Sequence, residues 1–121
     1  MNPKTACNFL IDQGMALITQ RNPDAFLCLL AKGESPYPGQ MTSILLALKT
    51  VRDALGDAKQ IDRPLADALH RLAMESHKHY EAGRRNGVQW SPLLAEDLQR
   101  LEDAVCGIFS GEGQGSFESN K

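Results

Sequence analysis

Asp62-Arg63-Pro64-Leu65-Ala66-Asp67-Ala68-Leu69-His70-Arg71-Leu72-Ala73-Met74-Glu75-Ser76-His77-Lys78-His79-Tyr80 is the stretch on which the fold turns. An aspartate before a helix can accept hydrogen bonds from the free N–H groups of the first turn, where a proline has no N–H to lose. Leu65, Ala68, Leu69, Leu72, Ala73, Ser76 and Tyr80 then recur at spacings of three and four, the period of one helix face. Ile61, just before the cap, suits a hydrophobic staple. The stretch predicts a helix over 63–85, ended by Gly83 or Gly87 and about 34 Å long at a rise of about 1.5 Å per residue. Such a helix crosses a small domain, so its apolar stripe needs other helices to cover it.

The same punctuation recurs at Asn2-Pro3, Asn22-Pro23 and Ser91-Pro92. It predicts helices over 3–19, 23–32 and 92–109, the last with Leu94, Leu98, Leu101, Val105 and Ile108 on one face. A further helix, 40–55, follows the break at Glu34-Ser35-Pro36-Tyr37-Pro38-Gly39 and carries Met41, Ile44, Leu45, Leu48 and Leu55 at helical spacing up to Gly56. Gly14 either weakens the first helix or lets another helix approach closely. From Ser110 the sequence turns to Gly, Ser, Glu and Gln, with Phe117 as its one apolar residue, too little to order it. The expected architecture is all-α: a four- or five-helix antiparallel bundle over 1–109 as one domain, with a disordered tail over 110–121.

A chain of 121 residues suits one hydrophobic core, and 42% hydrophobic against 23% charged residues places it among folding chains rather than disordered ones. The net charge of -2 gives no global attraction to nucleic acid or an anionic membrane, so a claim for either must rest on a local patch. Cys7, Cys28 and Cys106 are odd in number, lie in apolar helical stretches and form no CxxC pair, as expected for free thiols in a reducing compartment. No apolar run approaches the roughly 18 residues of a membrane span. These readings make a cytoplasmic protein the expectation, with no membrane partner.

The long helix carries the most distinctive functional candidates. His70, His77 and Arg84 recur every seven residues, and Arg71, Lys78 and Arg85 repeat that spacing one residue later. Two basic lines on one helix could hold phosphates, nucleic acid or an acidic partner. They read equally as a solvated face, with Asp67-Arg71 and Glu81-Arg85 as acid-before-base pairs one turn apart. The run Ala25-Phe26-Leu27-Cys28-Leu29-Leu30-Ala31 is apolar almost all round and must be buried in the core or against a second subunit. Phe26, Leu27 and Leu30, with the loop aromatics Tyr37 and Trp90, are therefore candidates for a homodimer interface. Tyr37 and Trp90 can equally cap the ends of the core.

No catalytic residue, cofactor or metal is expected. Glu75 and His79 lie one turn apart, but a helical di-metal site needs a Glu-x-x-His motif on each of two helices, and zinc needs closely spaced Cys or His pairs. Gly111, Gly113 and Gly115 have no strand before them and no helix after them, so they form no phosphate loop. The pairs Glu96-Asp97 and Glu102-Asp103 fall on polar positions of the last helix and read as solvent-exposed.

Three segments, Pro38-Gly39-Gln40-Met41-Thr42-Ser43-Ile44-Leu45-Leu46-Ala47-Leu48-Lys49, Asp62-Arg63-Pro64-Leu65-Ala66 and Gly87-Val88-Gln89-Trp90-Ser91-Pro92-Leu93-Leu94, resemble small helical proteins of unknown function from cyanobacteria. The resemblance spans about residues 36 to 109 and brings no active-site motif with it. The leading expectation is a small helical interaction or adaptor protein forming a homodimer. Binding of nucleic acid or an anionic ligand along the basic lines is the alternative, and an enzyme with an unrecognised site comes third.

Overall fold

The computed structural model describes residues 1–111. They form six helices, α1 (Pro3–Gly14), α2 (Ala16–Thr19), α3 (Phe26–Ala31), α4 (Gln40–Leu55), α5 (Arg63–Arg85) and α6 (Pro92–Ser110), with no strand among the described residues. The all-α bundle expected from periodicity is the observed fold. The expectation of a disordered tail lies, from residue 112 onward, outside the described residues. Residue 110 itself belongs to α6, which Gly111 ends in the left-handed conformation at φ 75°.

The four longest helices form a ring: α1 packs between α4 and α5, and α6 closes the other side against the same two. α3 docks on α5, with the single turn of α2 leading into it. Paired residues give the directions. Cys7 lies near Asp62 and Gly14 meets Ala68, so α1 and α5 run the same way. Met41 and Leu94 line one groove while Arg52 lies over Gly107, so α4 and α6 are parallel too. α5 and α6 are antiparallel. Successive long helices thus reverse direction, yet α4 and α5 sit diagonally across the ring and residues 56–62 cross one end of the bundle.

The caps follow where proline falls. With Pro3 and Pro92 at the first helical position, the next N–H groups remain free: that of Thr5 donates to Asn2 Oδ1 at 2.8 Å and that of Leu93 to Ser91 Oγ at 3.2 Å. Pro64 falls one position later and removes one of the donors that a cap side chain uses. Asp62 makes no cap hydrogen bond, and its carboxylate acts instead on Cys7. At Asn22 the expected helix start is displaced. Asn22 Oδ1 accepts from Asp24 N–H and its carbonyl from Ala25 N–H, closing a separate turn, and extended Ala25 then lets α3 begin at Phe26.

The helix expected over 3–19 breaks at Met15, whose φ of -95° and ψ of 3° separate α1 from α2. The break falls next to the contact with α5. A Cβ on Gly14 would stand 2.3 Å from the Ala68 carbonyl oxygen, so the two backbones touch where α1 crosses. Of the two readings of Gly14, close approach is the one realised. Gln20, at φ 54°, ends α2 in the left-handed region.

Phe26, Leu27 and Leu30 are at most 1% exposed and belong to one core cluster with Ala6, Leu10, Ile44, Leu48, Leu69, Leu72 and Leu101. Their apolar surface is spent inside the chain, and α3 has none of it left for a second subunit. This corrects their candidacy as interface residues: a six-residue helix buried against α5 meets its need for burial within one molecule.

All three thiols are free. Burial, and then the nearby Asp62 carboxylate, push the Cys7 thiol above its ordinary value. Cys28 is buried, with its Sγ donating to the Ala16 carbonyl at 3.6 Å, and Cys106 is exposed. Because the thiolate is the nucleophile, iodoacetamide at pH 8 is expected to modify Cys106 first and Cys7 well behind it in time-resolved peptide mapping. Equal rates at Cys7 and Cys106 would contradict this placement.

Candidate functional site: the cleft between α5 and α6

The α5–α6 hairpin is organised by Trp90. Its indole Nε1 donates to the Tyr80 carbonyl at 2.9 Å, and its ring stacks on Tyr80 with centroids 6.0 Å apart and an interplanar angle of 26°. The ring edge lies against Gly83, where a Cβ would come within 2.6 Å of Trp90 Cζ2. Val88 N–H then closes the turn onto the Gly83 carbonyl at 2.8 Å. Of the two roles open to Trp90 in the sequence, this is the cap on a helix end. The indole fits closely over α5 at the junction because position 83 has no side chain. Beyond it the facing positions are small, with Ala73 and Ser76 on α5 and Ala95 on α6, and they leave a cleft of about 380 Å³.

His77 and Arg84, two members of the first basic line, line this cleft together with Tyr80 and Glu81. His70, one heptad before His77, is exposed and does not line it. From α6 come Leu98, Gln99 and Glu102. Glu102 is exposed, as its polar helix position predicts, and stands at the open side of the cleft with Gln99, a residue the sequence reading passed over. The available signal was the spacing of Ala95, Gln99 and Glu102 by four and then three, which puts them on one flank of the core stripe.

The basic lines do not make a continuous positive surface. Asp67, Met74 and Glu81, also seven apart, run between them along the helix. Arg71 Nε bonds Asp67 Oδ1 at 3.1 Å, Arg84 forks Nε and Nη2 onto Glu81 Oε1 at 3.1 and 3.0 Å, and Lys78 stands 4.0 Å from Glu75. Glu81 therefore pairs with Arg84 and not with Arg85, because Glu81 and Arg84 both turn toward the cleft while Arg85 points one position further round. The cleft lining holds one arginine and two glutamates, and Arg84 is already matched by Glu81. The Glu102 carboxylate has no protein partner among the described residues, so with neutral histidine the cleft carries one excess negative charge. Of the six residues of the two basic lines, only His77 and Arg84 reach this cleft, where carboxylates outnumber the one arginine.

Glu75 and His79 approach to 3.4 Å, but no group of three or more His, Cys, Asp or Glu side chains is placed to hold a metal among the described residues. No described helix is long and apolar enough to cross a membrane.

Tyr37 lies beside the start of α6, on the flank opposite the cleft. Its hydroxyl donates to Asp24 Oδ1 at 3.1 Å, and its backbone N–H donates to Gln40 Oε1 at 2.9 Å. The hydrogen bond to Asp24 and that carboxylate's charge raise the Tyr37 hydroxyl above its ordinary value. Tyr37 and Leu93, 49% and 65% exposed, line a second groove of about 240 Å³ with Pro36, Pro38, Met41 and Leu94. Comparison with known protein families, curated proteins and solved structures finds no match for this chain.

Proposed function

We propose that the protein is a small helical interaction protein, without catalytic chemistry, that works as a homodimer through the groove shared by the starts of α4 and α6. The observation that supports this most is Leu93, at 65% the most exposed of the large apolar side chains described, beside the half-exposed Tyr37 on an apolar groove. Burying one such side chain contributes about 1.5–3 kcal/mol. A two-fold axis would seat each copy's Leu93 in the other's groove, so the gain is doubled. Tyr37, tied down by Asp24 and Gln40, loses little further freedom on association. The free thiols support a reducing compartment such as the cytoplasm. Binding of nucleic acid along α5 is the weaker reading, because Arg71 and Arg84 already hold carboxylates.

Light scattering on the full chain tests this. The wild type is expected to show the mass of a dimer at about 50 μM, and Leu93→Lys that of a monomer with an unchanged helical circular dichroism spectrum, because an exposed position tolerates lysine. A monomeric wild type, or a dimer indifferent to Leu93→Lys, would overturn the assignment.

A further inference from the structure

We propose that the α5–α6 cleft binds a small amphipathic organic cation, an ammonium group carried on an aromatic or short apolar body, with Glu102 as its counter-charge. The site is separate from the Leu93 groove, which opens on the opposite flank of α6.

Three observations converge. The cleft's volume of about 380 Å³ is within the range of small-ligand sites, roughly 300–1,000 Å³. The small side chains of Ala73 and Ala95 leave it open without any change in the fold. Its lining divides chemically along its length. Antiparallel packing sets Glu102 of α6 beside the Ala73 end of α5, two to three helical turns from the Arg84–Glu81 pair at the Trp90 end. Between them lie Leu98 and the ring of Tyr80, suited to an apolar or aromatic body and to the attraction between a cation and an aromatic face.

Of the lining groups without protein partners, the exposed Glu102 carboxylate is purely an acceptor, while the Tyr80 hydroxyl and the His77 ring can donate as well as accept. Glu102, the Tyr80 hydroxyl and the His77 ring make no hydrogen bond or ion pair with any described residue. The one strong donor, Arg84, is engaged by Glu81 through two of its nitrogens. An ammonium group therefore finds an unmatched carboxylate, whereas a carboxylate or phosphate would have to compete with Glu81 for Arg84 and lie near Glu102.

Phenethylammonium, phenethyl alcohol and phenylacetate share one body and differ in charge, so together they test the sign as well as the site. In a ¹H–¹⁵N NMR titration of the full chain, phenethylammonium is expected to shift the amides of Ala73, Ser76, Leu98 and Gln99 saturably. The alcohol and the acid are expected to bind about tenfold more weakly. Glu102→Gln keeps the shape and is expected to weaken the cation about five- to tenfold while leaving the alcohol unchanged. Equal or tighter binding of phenylacetate, a Glu102→Gln variant that binds the cation as well as wild type, or no saturable cleft shift by about 10 mM cation would overturn the proposal. Leu93→Lys is expected to leave this titration unchanged, so failure of the dimer and failure of the cleft are separately visible.

Discussion

Gly14→Ala is expected to destabilise the protein by about 1–2 kcal/mol and Gly14→Val by about 3 kcal/mol or more, with the thermal midpoint of the valine variant about 10–20 °C lower. The sign is the informative part. Gly14 is helical, and by helix propensity alone alanine there is better by about 1 kcal/mol. The surroundings oppose this. A Cβ at position 14 meets the Ala68 carbonyl oxygen at 2.3 Å, its Cα at 2.6 Å and its carbonyl carbon at 2.7 Å. Those atoms are main chain in the second turn of a long helix, so no side-chain rotation relieves the overlap, and α1 must lift away from α5. Lifting α1 also opens the contacts of Ala6 and Leu10, both 0% exposed. Because the overlap is with backbone, Ala68→Gly should give no rescue of Gly14→Ala. Urea denaturation showing Gly14→Ala as stable as wild type would remove the close crossing.

Phe26→Ala is expected to cost about 3–5 kcal/mol, the range for emptying a buried phenylalanine site. Phe26 is 0% exposed, with Leu27 and Leu29 beside it at 0% and Leu30 at 1%, so collapse around the lost ring has little room. The same residue at a subunit interface would produce a loss that shrinks on dilution, as the wild-type dimer itself comes apart. Since it lies in one chain's core, its cost should be independent of protein concentration. Chemical denaturation at two concentrations tenfold apart checks this. A loss below about 1 kcal/mol, or one that scales with concentration, would return α3 to the interface. Leu93→Lys is the counterpart, altering association and sparing the fold.

What could be read from the residues alone was whatever depends on near neighbours. α4 and α5 have the expected bounds of 40–55 and 63–85 because their 3–4 periodicity is unbroken and glycine or a proline-led cap stands at the ends. α6 runs one residue further than expected, to Ser110. α1 broke where a distant partner intervened: Gly14 takes its meaning from Ala68, which lies far along the chain. The turn at Asn22 was misread because asparagine caps helices and closes tight turns with the same oxygen. The candidate site divided in the same way. The heptad lines on α5 were visible, while their neutralisation by Asp67 and Glu81 was only partly so. The cleft depends on where α6 lays Gln99 and Glu102, and on Ala73 and Ala95 being too small to fill the gap, which no local pattern announces.

Trp90 is the chain's one tryptophan, and it sits at the junction of α5 and α6, against Tyr80 and Gly83. Its emission is therefore a local gauge of that hairpin, whereas circular dichroism averages over all six helices. If the bundle melts as one unit the two signals share a midpoint. Where they part, the separation measures how far the α5–α6 arm can open while the rest of the ring stays closed.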